Sequence, residues 1–303
     1  ELRVGGFSGY LCELLVLYYG GFLEALRGAL KWRKGIVVDI SGYYGGREDE
    51  ARELFRHHLI VVDPVDPGRN TAASVSLEKM CLFMAAAREF LARPREVFFF
   101  PPELPVKSDA ELAEQIASRG TSLLAIRTRV AGLPPDVLWG QVRRTLRALR
   151  GTLKNEGFRV LRMGAWSDEV EECVLIFELE SSRLPPVVKH VGPPVWVEEH
   201  VERFLAKQMA NPALVCGPYI EGDRWVALVR RRWPDAKELL RARLSEGGGR
   251  QVGVAPLLAQ RVQEYFQVLE GAELISLCRE LEGFREWLVE FLVGRPRWLA
   301  PAR

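Results

Sequence analysis

The rest of the chain is arranged around residues 61–73, which read Val61-Val62-Asp63-Pro64-Val65-Asp66-Pro67-Gly68-Arg69-Asn70-Thr71-Ala72-Ala73. The apolar residues up to Val62 predict a short strand that ends in two Asp-Pro steps, because proline lacks a backbone donor and restricts the residue before it. Asn70 is the predicted N-cap of a helix that runs from Thr71 to about Ala92. This stretch therefore predicts a rigid corner of strand, turn and helix.

The predicted turn carries polar side chains that could bind a ligand or only hold the chain: Asp63, Asp66, Arg69 and Asn70. Two nearby carboxylates could bind Mg²⁺. Prolines directly after both aspartates suit a structural turn better, in which Asp63 and Asp66 cap backbone amides and Arg69 pairs with one of them. We therefore expect a structural turn and no metal at this place.

Composition indicates an ordinary globular chain of 303 residues, 48% hydrophobic and 27% charged, with enough core for two or three domains. The net charge is only +2, so a nucleic-acid site would need local clustering of the 42 Lys and Arg residues. Five scattered cysteines without a CxxC pair predict buried thiols in a reducing compartment, the cytoplasm, and no zinc site. Residues 10–30 are apolar but interrupted by charges, which favours a buried helix over a membrane span.

The first 100 residues predict a mostly helical domain with small strands. Ser8 lies in a glycine-rich turn and is the expected cap of a helix from Tyr10 to Tyr19. A second helix is expected from Phe22 to Trp32, and a strand from Ile36 to Ile40 could pair with the strand at Val61. A glycine-rich turn before a helix can bind phosphate through its unpaired amides, or it can only reverse the chain. The residues alone leave both functions open.

Two motifs in this order resemble the archaeal (class I) CCA-adding enzymes, which are tRNA nucleotidyltransferases: Gly6-Phe7-Ser8-Gly9-Tyr10-Leu11-Cys12-Glu13-Leu14-Leu15 and Val62-Asp63-Pro64-Val65-Asp66-Pro67-x-Arg69-Asn70-x-Ala72-Ala73. The resemblance continues to the C-terminus, including Tyr219-Ile220-Glu221-Gly222-Asp223-Arg224-Trp225 and Pro296-Arg297-Trp298-Leu299. It implies template-independent addition of CCA to the 3′ end of tRNA from CTP and ATP. Residues 1–100 would be the central, PAP/OAS-like substrate-binding domain.

The resemblance also implies that part of the enzyme lies outside this chain. Family members have a preceding head domain whose carboxylates bind Mg²⁺, and nothing in this sequence resembles that head. We therefore expect no catalytic or metal-binding residues here, and we expect the chain alone to be inactive. The alternative is a stand-alone RNA-binding protein derived from the enzyme.

The resemblance implies functional roles at three positions. Tyr10 and Arg3 would contact the triphosphate of the incoming nucleotide, and a phenol and a guanidinium are both suitable donors to phosphate. From the residues alone, Tyr10 could equally be a core aromatic. Leu82 occupies the place of an arginine that reads the base in the family, and the nearest arginine is Arg88. This departure leaves nucleotide selection open and is the one feature that favours the alternative.

Residues 101–232 predict a ferredoxin-like α+β sandwich. Ser108 opens a short helix with Glu111 in a capping box. The elements that follow have the order βαββαβ, namely Ser122 to Arg129, Asp136 to Asn155, Phe158 to Trp166, Cys173 to Glu180, Val197 to Met209 and Arg224 to Arg231. This order predicts an antiparallel sheet with two helices on one face. Residues 233–303 predict a helical tail, with helices at Asp235 to Leu244, Leu257 to Leu269 and Glu273 to Leu292.

The helix predicted from Asp136 to Asn155 separates an apolar stripe from a basic row. The stripe consists of Leu138, Val142, Leu146, Leu149 and Leu153. The row consists of Arg143, Arg147, Arg150 and Lys154, which could follow an RNA backbone or be a solvated helix face. With the resemblance, we expect the row to bind RNA and the C-terminal parts to bind the acceptor stem and TΨC elbow of tRNA by shape. A homodimer is a further expectation from the family.

Overall fold

The computed structural model describes residues 5–299 and divides into two units. The first contains the described residues up to Val106, Pro134–Gly140 and those from Glu290 onward, and the second contains Lys107–Leu133 and Gln141–Val289. Both units combine helices with sheets, so the predicted α+β class is confirmed.

The first unit has a core of apolar side chains around Trp32, whose indole Nε1 donates to the Tyr19 hydroxyl at 2.9 Å. Ser8 caps the first helix as predicted, by accepting from the Leu11 amide at 3.0 Å. The two strands pair in parallel, from Ile36 opposite Leu59 onward, which confirms the predicted ladder. The elements are α1 Gly9–Tyr19, α2 Phe22–Ala29, β1 Ile36–Asp39, α3 Glu48–Phe55, β2 Leu59–Val62 and α4 Leu77–Ala92.

Asn70 does not cap α4, and this prediction is wrong. The helix begins at Leu77, and its cap is Ser76, whose Oγ accepts from the Lys79 amide at 3.2 Å. The buried Asn70 side chain instead accepts from the Val61 and Ala72 amides and donates to the Leu59 carbonyl, all at 2.9–3.0 Å. A carboxamide both donates and accepts, so it can bond to a strand as another strand would.

The remaining elements form two antiparallel sheets, one with the strand order β4-β5-β3-β9 and one with the order β6-β8-β7. Their bounds are α5 Asp109–Ala117, β3 Ser122–Arg129, α6 Pro135–Asn155, β4 Val160–Ser167, β5 Glu172–Leu179, β6 Val187–Pro194, α7 Glu198–Met209, β7 Leu214–Glu221, β8 Arg224–Arg230, α8 Ala236–Ser245, α9 Pro256–Glu264, β9 Phe266–Glu270, α10 Leu274–Glu280 and α11 Phe284–Val293.

The four-stranded sheet has the ferredoxin-like strand order, because β3, β4, β5 and β9 taken as first to fourth strands lie in the order 2-3-1-4. The second half of the predicted βαββαβ unit is nevertheless wrong. Strand β8 and helix α7 belong with the other sheet, and the fourth strand is β9. That strand lies where the sequence predicts part of a helical tail, so the prediction of an all-helical tail is also wrong. Five residues are too few to show a strand period, and pairing with β3 decides their conformation.

Strand β5 is buried at every position from 173 to 179, so both faces of the sheet are covered along this strand. Helices α8 and α9 contact the sheet directly. Helices α10 and α11 reach it through an ion pair from Arg127 to Glu280 and a ring contact between Trp166 and Phe284. The predicted apolar stripe of α6 is buried, and the predicted capping box at Ser108 is present.

Two smaller predictions concern membrane spans and cysteines. Within residues 5–299 no single helix is long and apolar enough to cross a membrane, and α1 and α2, which would suffice together, are bent by 90°. No disulfide joins the cysteines. Cys173 and Cys278 are buried as predicted, whereas Cys12, Cys81 and Cys216 are exposed.

Candidate functional site

The turn after β2 is held by its own carboxylates. Asp63 Oδ1 accepts from the Val65 amide and Asp66 Oδ1 accepts from the Gly68 amide, both at 2.9 Å. Arg69 Nη1 lies 3.3 Å from Asp63 Oδ2, and the Asp63 amide donates to the Arg69 carbonyl at 3.0 Å. The predicted structural turn is therefore confirmed, and Arg69 pairs with Asp63.

Tyr10 brings the two sequence motifs together. Its hydroxyl donates to Asp63 Oδ1 at 3.2 Å, across 53 positions of sequence. The side chain is 42% exposed, so it is not a core aromatic. Partial desolvation raises the pKa of the Tyr10 phenol, and the neighbouring Asp63 carboxylate raises it further. The phenol therefore keeps its proton at neutral pH and remains a hydrogen-bond donor.

The glycine-rich turn before α1 is tied to the segment that precedes α4. The Ser76 amide donates to the Gly5 carbonyl at 2.9 Å, and Ser74 Oγ donates to the Gly6 carbonyl at 3.4 Å. These bonds place the beginning of α1 and the segment that follows the Asp-Pro turn side by side. Arg3, the other residue expected at the triphosphate, lies outside the described residues.

Two tyrosines that the sequence reasoning missed contact the same turn. The Tyr43 hydroxyl donates to the Pro64 carbonyl and the Tyr44 hydroxyl to the Pro67 carbonyl, both at 2.8 Å. Both tyrosines lie in the loop after β1. The carboxyl ends of parallel strands meet at one edge of a sheet, so the loops after β1 and β2 are neighbours. The predicted ladder of these strands was the signal that could have found them.

The turn does not fit Mg²⁺. The Asp63 oxygens accept from Tyr10, Val65 and Arg69, and Asp66 Oδ1 accepts from Gly68. Within residues 5–299 no group of three or more His, Cys, Asp or Glu side chains could hold a metal ion. The carboxylates of this turn are therefore engaged in hydrogen bonds within the protein.

Leu82, where the resemblance places a base-reading arginine, is half-buried on α4. Arg88 is exposed on the same helix, and its six-residue separation from Leu82 places it almost two turns further along. The structure therefore gives Arg88 no position equivalent to that of Leu82.

The basic row on α6 is exposed and runs beside the buried apolar stripe. Its members are Arg143, Arg147, Arg150 and Lys154. Arg147 Nε donates to the Arg143 carbonyl at 3.2 Å, which holds the Arg147 side chain along the helix. The geometry agrees with the prediction, and the RNA-binding role of the row stays a prediction.

Two parts of the chain match models of known protein families. Residues 1–100 match the family model described as the second domain of tRNA nucleotidyltransferase, which gives the class of protein. Residues 119–271 match the model described as the C-terminal domain of the CCA-adding enzyme. The chain belongs to the CCA-adding enzyme family.

Individual relatives are similar over most of this chain. The CCA-adding enzyme of Methanosarcina acetivorans is 40% identical over 278 residues, which are 91% of this chain and 58% of the relative. That of Methanosarcina barkeri is 40% identical over 295 residues, or 96% and 61% of the two chains. That of Pyrobaculum neutrophilum is 38% identical over 252 residues, or 82% and 54%. The chain thus spans a little more than half the length of these relatives.

Proposed function

We propose that this chain is the substrate-binding part of a CCA-adding enzyme, a tRNA nucleotidyltransferase that extends the 3′ end of tRNA with C, C and A from CTP and ATP. The observation that carries the proposal is the match of two family models in this order, which together cover most of the chain. The alternative of a stand-alone RNA-binding protein has only Leu82 in its favour.

In this proposal the first unit holds the triphosphate of the incoming nucleotide. Tyr10 is half-exposed, remains protonated, and is oriented by the nearly buried Asp63. It can exchange this 3.2 Å bond for a bond to a phosphate oxygen. Arg3 would add a positive charge, and the structural turn of Asp63, Asp66, Arg69 and Asn70 would hold the phenol in place.

The second unit would bind tRNA along the basic row of α6. Arginine and lysine side chains on one helix face can neutralise successive phosphates, and each neutralised phosphate contributes salt-dependent affinity. Helical RNA is recognised mainly through its backbone and shape, so the row needs no base-reading partner. We propose the acceptor stem and TΨC elbow as the RNA elements that are bound.

The full-length enzyme would supply the metal site. In this proposal the carboxylates for Mg²⁺ lie in a part of the full-length enzyme outside these 303 residues; the relatives are considerably longer than this chain. Mg²⁺ there would stabilise the charge that develops on the transferred phosphate. A cytoplasmic location and a homodimer complete the proposal.

The test uses this chain and a tRNA that lacks its 3′ CCA. We expect the chain to bind the tRNA and to incorporate no labelled CTP. The double variant Arg143→Ala with Arg147→Ala should bind the tRNA more weakly. The slope of log Kd against the logarithm of the salt concentration should fall by about one to two, because two phosphate contacts are removed. The control is Arg203→Ala, an exposed arginine on α7 that pairs with Glu199.

Two results would contradict parts of this proposal. Incorporation of CTP by the chain alone would place the metal site within it. An unchanged salt dependence in the double variant would show that the basic row is a solvated helix face.

A further inference from the structure

The Asp-Pro turn has carbonyl groups that it cannot satisfy itself. Its two prolines have no N–H, so the turn contains more backbone acceptors than donors. Its own amides at Val65, Gly68 and Arg69 bond within the turn. The carbonyls of Pro64 and Pro67 instead accept from the hydroxyls of Tyr43 and Tyr44. The loop after β1 therefore holds the turn from outside.

This loop is itself firmly built. Asp39, the last residue of β1, accepts from the amides of Gly42 at 3.0 Å and Tyr44 at 2.6 Å. Arg47 Nη2 donates to the Tyr43 carbonyl at 3.0 Å, and the Tyr44 ring contacts the Phe55 ring edge to face at 6.3 Å. The two hydroxyls are thus held in place before they meet the turn.

The bond from Tyr43 ends next to the residue that orients Tyr10, and the bond from Tyr44 holds the far side of the same turn at Pro67. Pro64 directly follows Asp63, whose Oδ1 accepts from the Tyr10 hydroxyl at 3.2 Å. A bond of this length loses strength quickly when the donor and acceptor separate further. A small shift of the Pro64 peptide would therefore move the Asp63 carboxylate and release the Tyr10 phenol from its orientation.

We propose that Tyr43 and Tyr44 are positioning residues for the incoming nucleotide, and that they act through the Asp-Pro turn on Tyr10. This inference rests on the proposed function, in which Tyr10 contacts the triphosphate. The tyrosines need not touch the nucleotide, because their effect is to keep Asp63 and Tyr10 in one arrangement. Pre-arranged groups bind a ligand more tightly since less ordering remains to be done on binding.

The experiment measures kcat and KM for CTP and ATP with the full-length enzyme and tRNA that lacks CCA. The double variant Tyr43→Phe with Tyr44→Phe keeps both rings and removes both hydroxyls. We expect KM to rise about fivefold while kcat stays nearly constant, because the lost interaction contributes to binding in the ground state and transition state alike. Tyr18→Phe is the matched control, since the Tyr18 hydroxyl has no hydrogen bond among the described residues and the ring is exposed.

Combination with Tyr10→Phe distinguishes a positioning role from a merely structural one. If the tyrosines act through Tyr10, the triple variant should have the same KM as Tyr10→Phe alone. A KM for the triple variant that equals the product of the separate fold-changes would overturn the inference. An unchanged KM in the double variant would also overturn it, provided that Tyr10→Phe raises KM. If Tyr10→Phe leaves KM unchanged, the proposed nucleotide contact fails, and the positioning role fails with it. Thermal unfolding of each variant separates these results from loss of folded protein.

Discussion

Two carboxylates, one from each unit, are almost completely buried, and they differ in the side chains that bond to them. Asp63 and Glu178 are both 3% exposed. Asp63 lies in a turn and bonds to Tyr10 and Arg69, whose side chains reach solvent. Glu178 lies on the central strand β5 and accepts from Thr121, Arg119 and Arg162 at 2.6–3.0 Å.

The two carboxylates differ in whether a ligand could replace the side chains that donate hydrogen bonds to them. Burial by itself raises the pKa of Glu178, but hydrogen bonds from Thr121, Arg162 and Arg119 outweigh it and lower that pKa. The Arg119 and Arg162 side chains are 21% and 35% exposed, against 64% for Arg69, so the cluster around Glu178 is mostly inside the protein and stabilises the sheet. The donors to Asp63 are at the surface and can exchange partners. Burial of a charged group thus indicates a functional site only when its partners are accessible.

The largest expected effect follows from removing the internal carboxylate. Glu178→Ala leaves two partly buried guanidinium groups without their shared acceptor, and we expect the free energy of unfolding to fall by about 3 kcal/mol. Urea unfolding of the chain measures this. The control is Glu180→Ala, which removes an exposed pair with Arg159 at 3.6 Å and should change stability by less than about 1 kcal/mol. Equal losses in the two variants would contradict a special role for Glu178.

A change at the accessible carboxylate should affect substrate more than stability. Asp63→Asn keeps the size and one acceptor but removes the charge that faces Arg69, so we expect a stability loss of only about 1 kcal/mol. The KM for CTP and ATP of the full-length enzyme should rise about tenfold, because the charged acceptor that holds the Tyr10 phenol in one orientation before the nucleotide binds is lost. Asp66→Asn is the matched control, since Asp66 Oδ1 accepts from the Gly68 amide and the asparagine oxygen can accept the same bond and keep the turn. A loss of stability without a change in KM would make Asp63 purely structural.

The smallest expected effect is a difference in acid sensitivity. The lowered pKa of Glu178 means that the unfolded state takes up the proton first as pH falls. Its stabilising contribution is therefore complete above the ordinary glutamate pKa of about 4.3 and is lost as pH falls through the lowered pKa of the folded state. Glu178→Gln should flatten the fall of unfolding free energy between about pH 5 and pH 3.

Other carboxylates limit the size of this effect. The pKa of Asp109 is also lowered, by hydrogen bonds from Arg279 and then Arg285, so some acid sensitivity should persist in Glu178→Gln. Parallel curves of unfolding free energy against pH for the variant and the parent would show that Glu178 does not contribute. The measurement is urea unfolding at several pH values.

Features set by neighbouring residues could be predicted from the sequence. Ser8 and Ser108 cap their helices as expected, because a hydroxyl and the amides of the next turn are only three positions apart. The apolar stripe of α6 repeats with the helical period and is buried. The Asp-Pro turn closes on itself in the expected way.

Features that depend on distant partners could not be predicted. Asn70 has the composition of a helix cap, but its amide bonds to β2, which lies beside it only after folding. The segment 266–270 continues an apolar helical pattern, but pairing with β3 makes it a strand. Strands β6 and β7 were missed as well, since irregular registers interrupt their alternation. Each error arose where a long-range contact outweighed local preference.

For the candidate site the same division holds. The sequence alone determined the two motifs, the family they belong to, the self-closing turn and the basic row on α6, because each depends on residue types at short fixed spacings. Only the tertiary structure decided that Tyr10 meets Asp63 and that Tyr43 and Tyr44 hold the turn. These contacts join residues 21 to 53 positions apart. Their partners are chosen by the parallel pairing of β1 and β2 and by packing of α1, which no local pattern specifies.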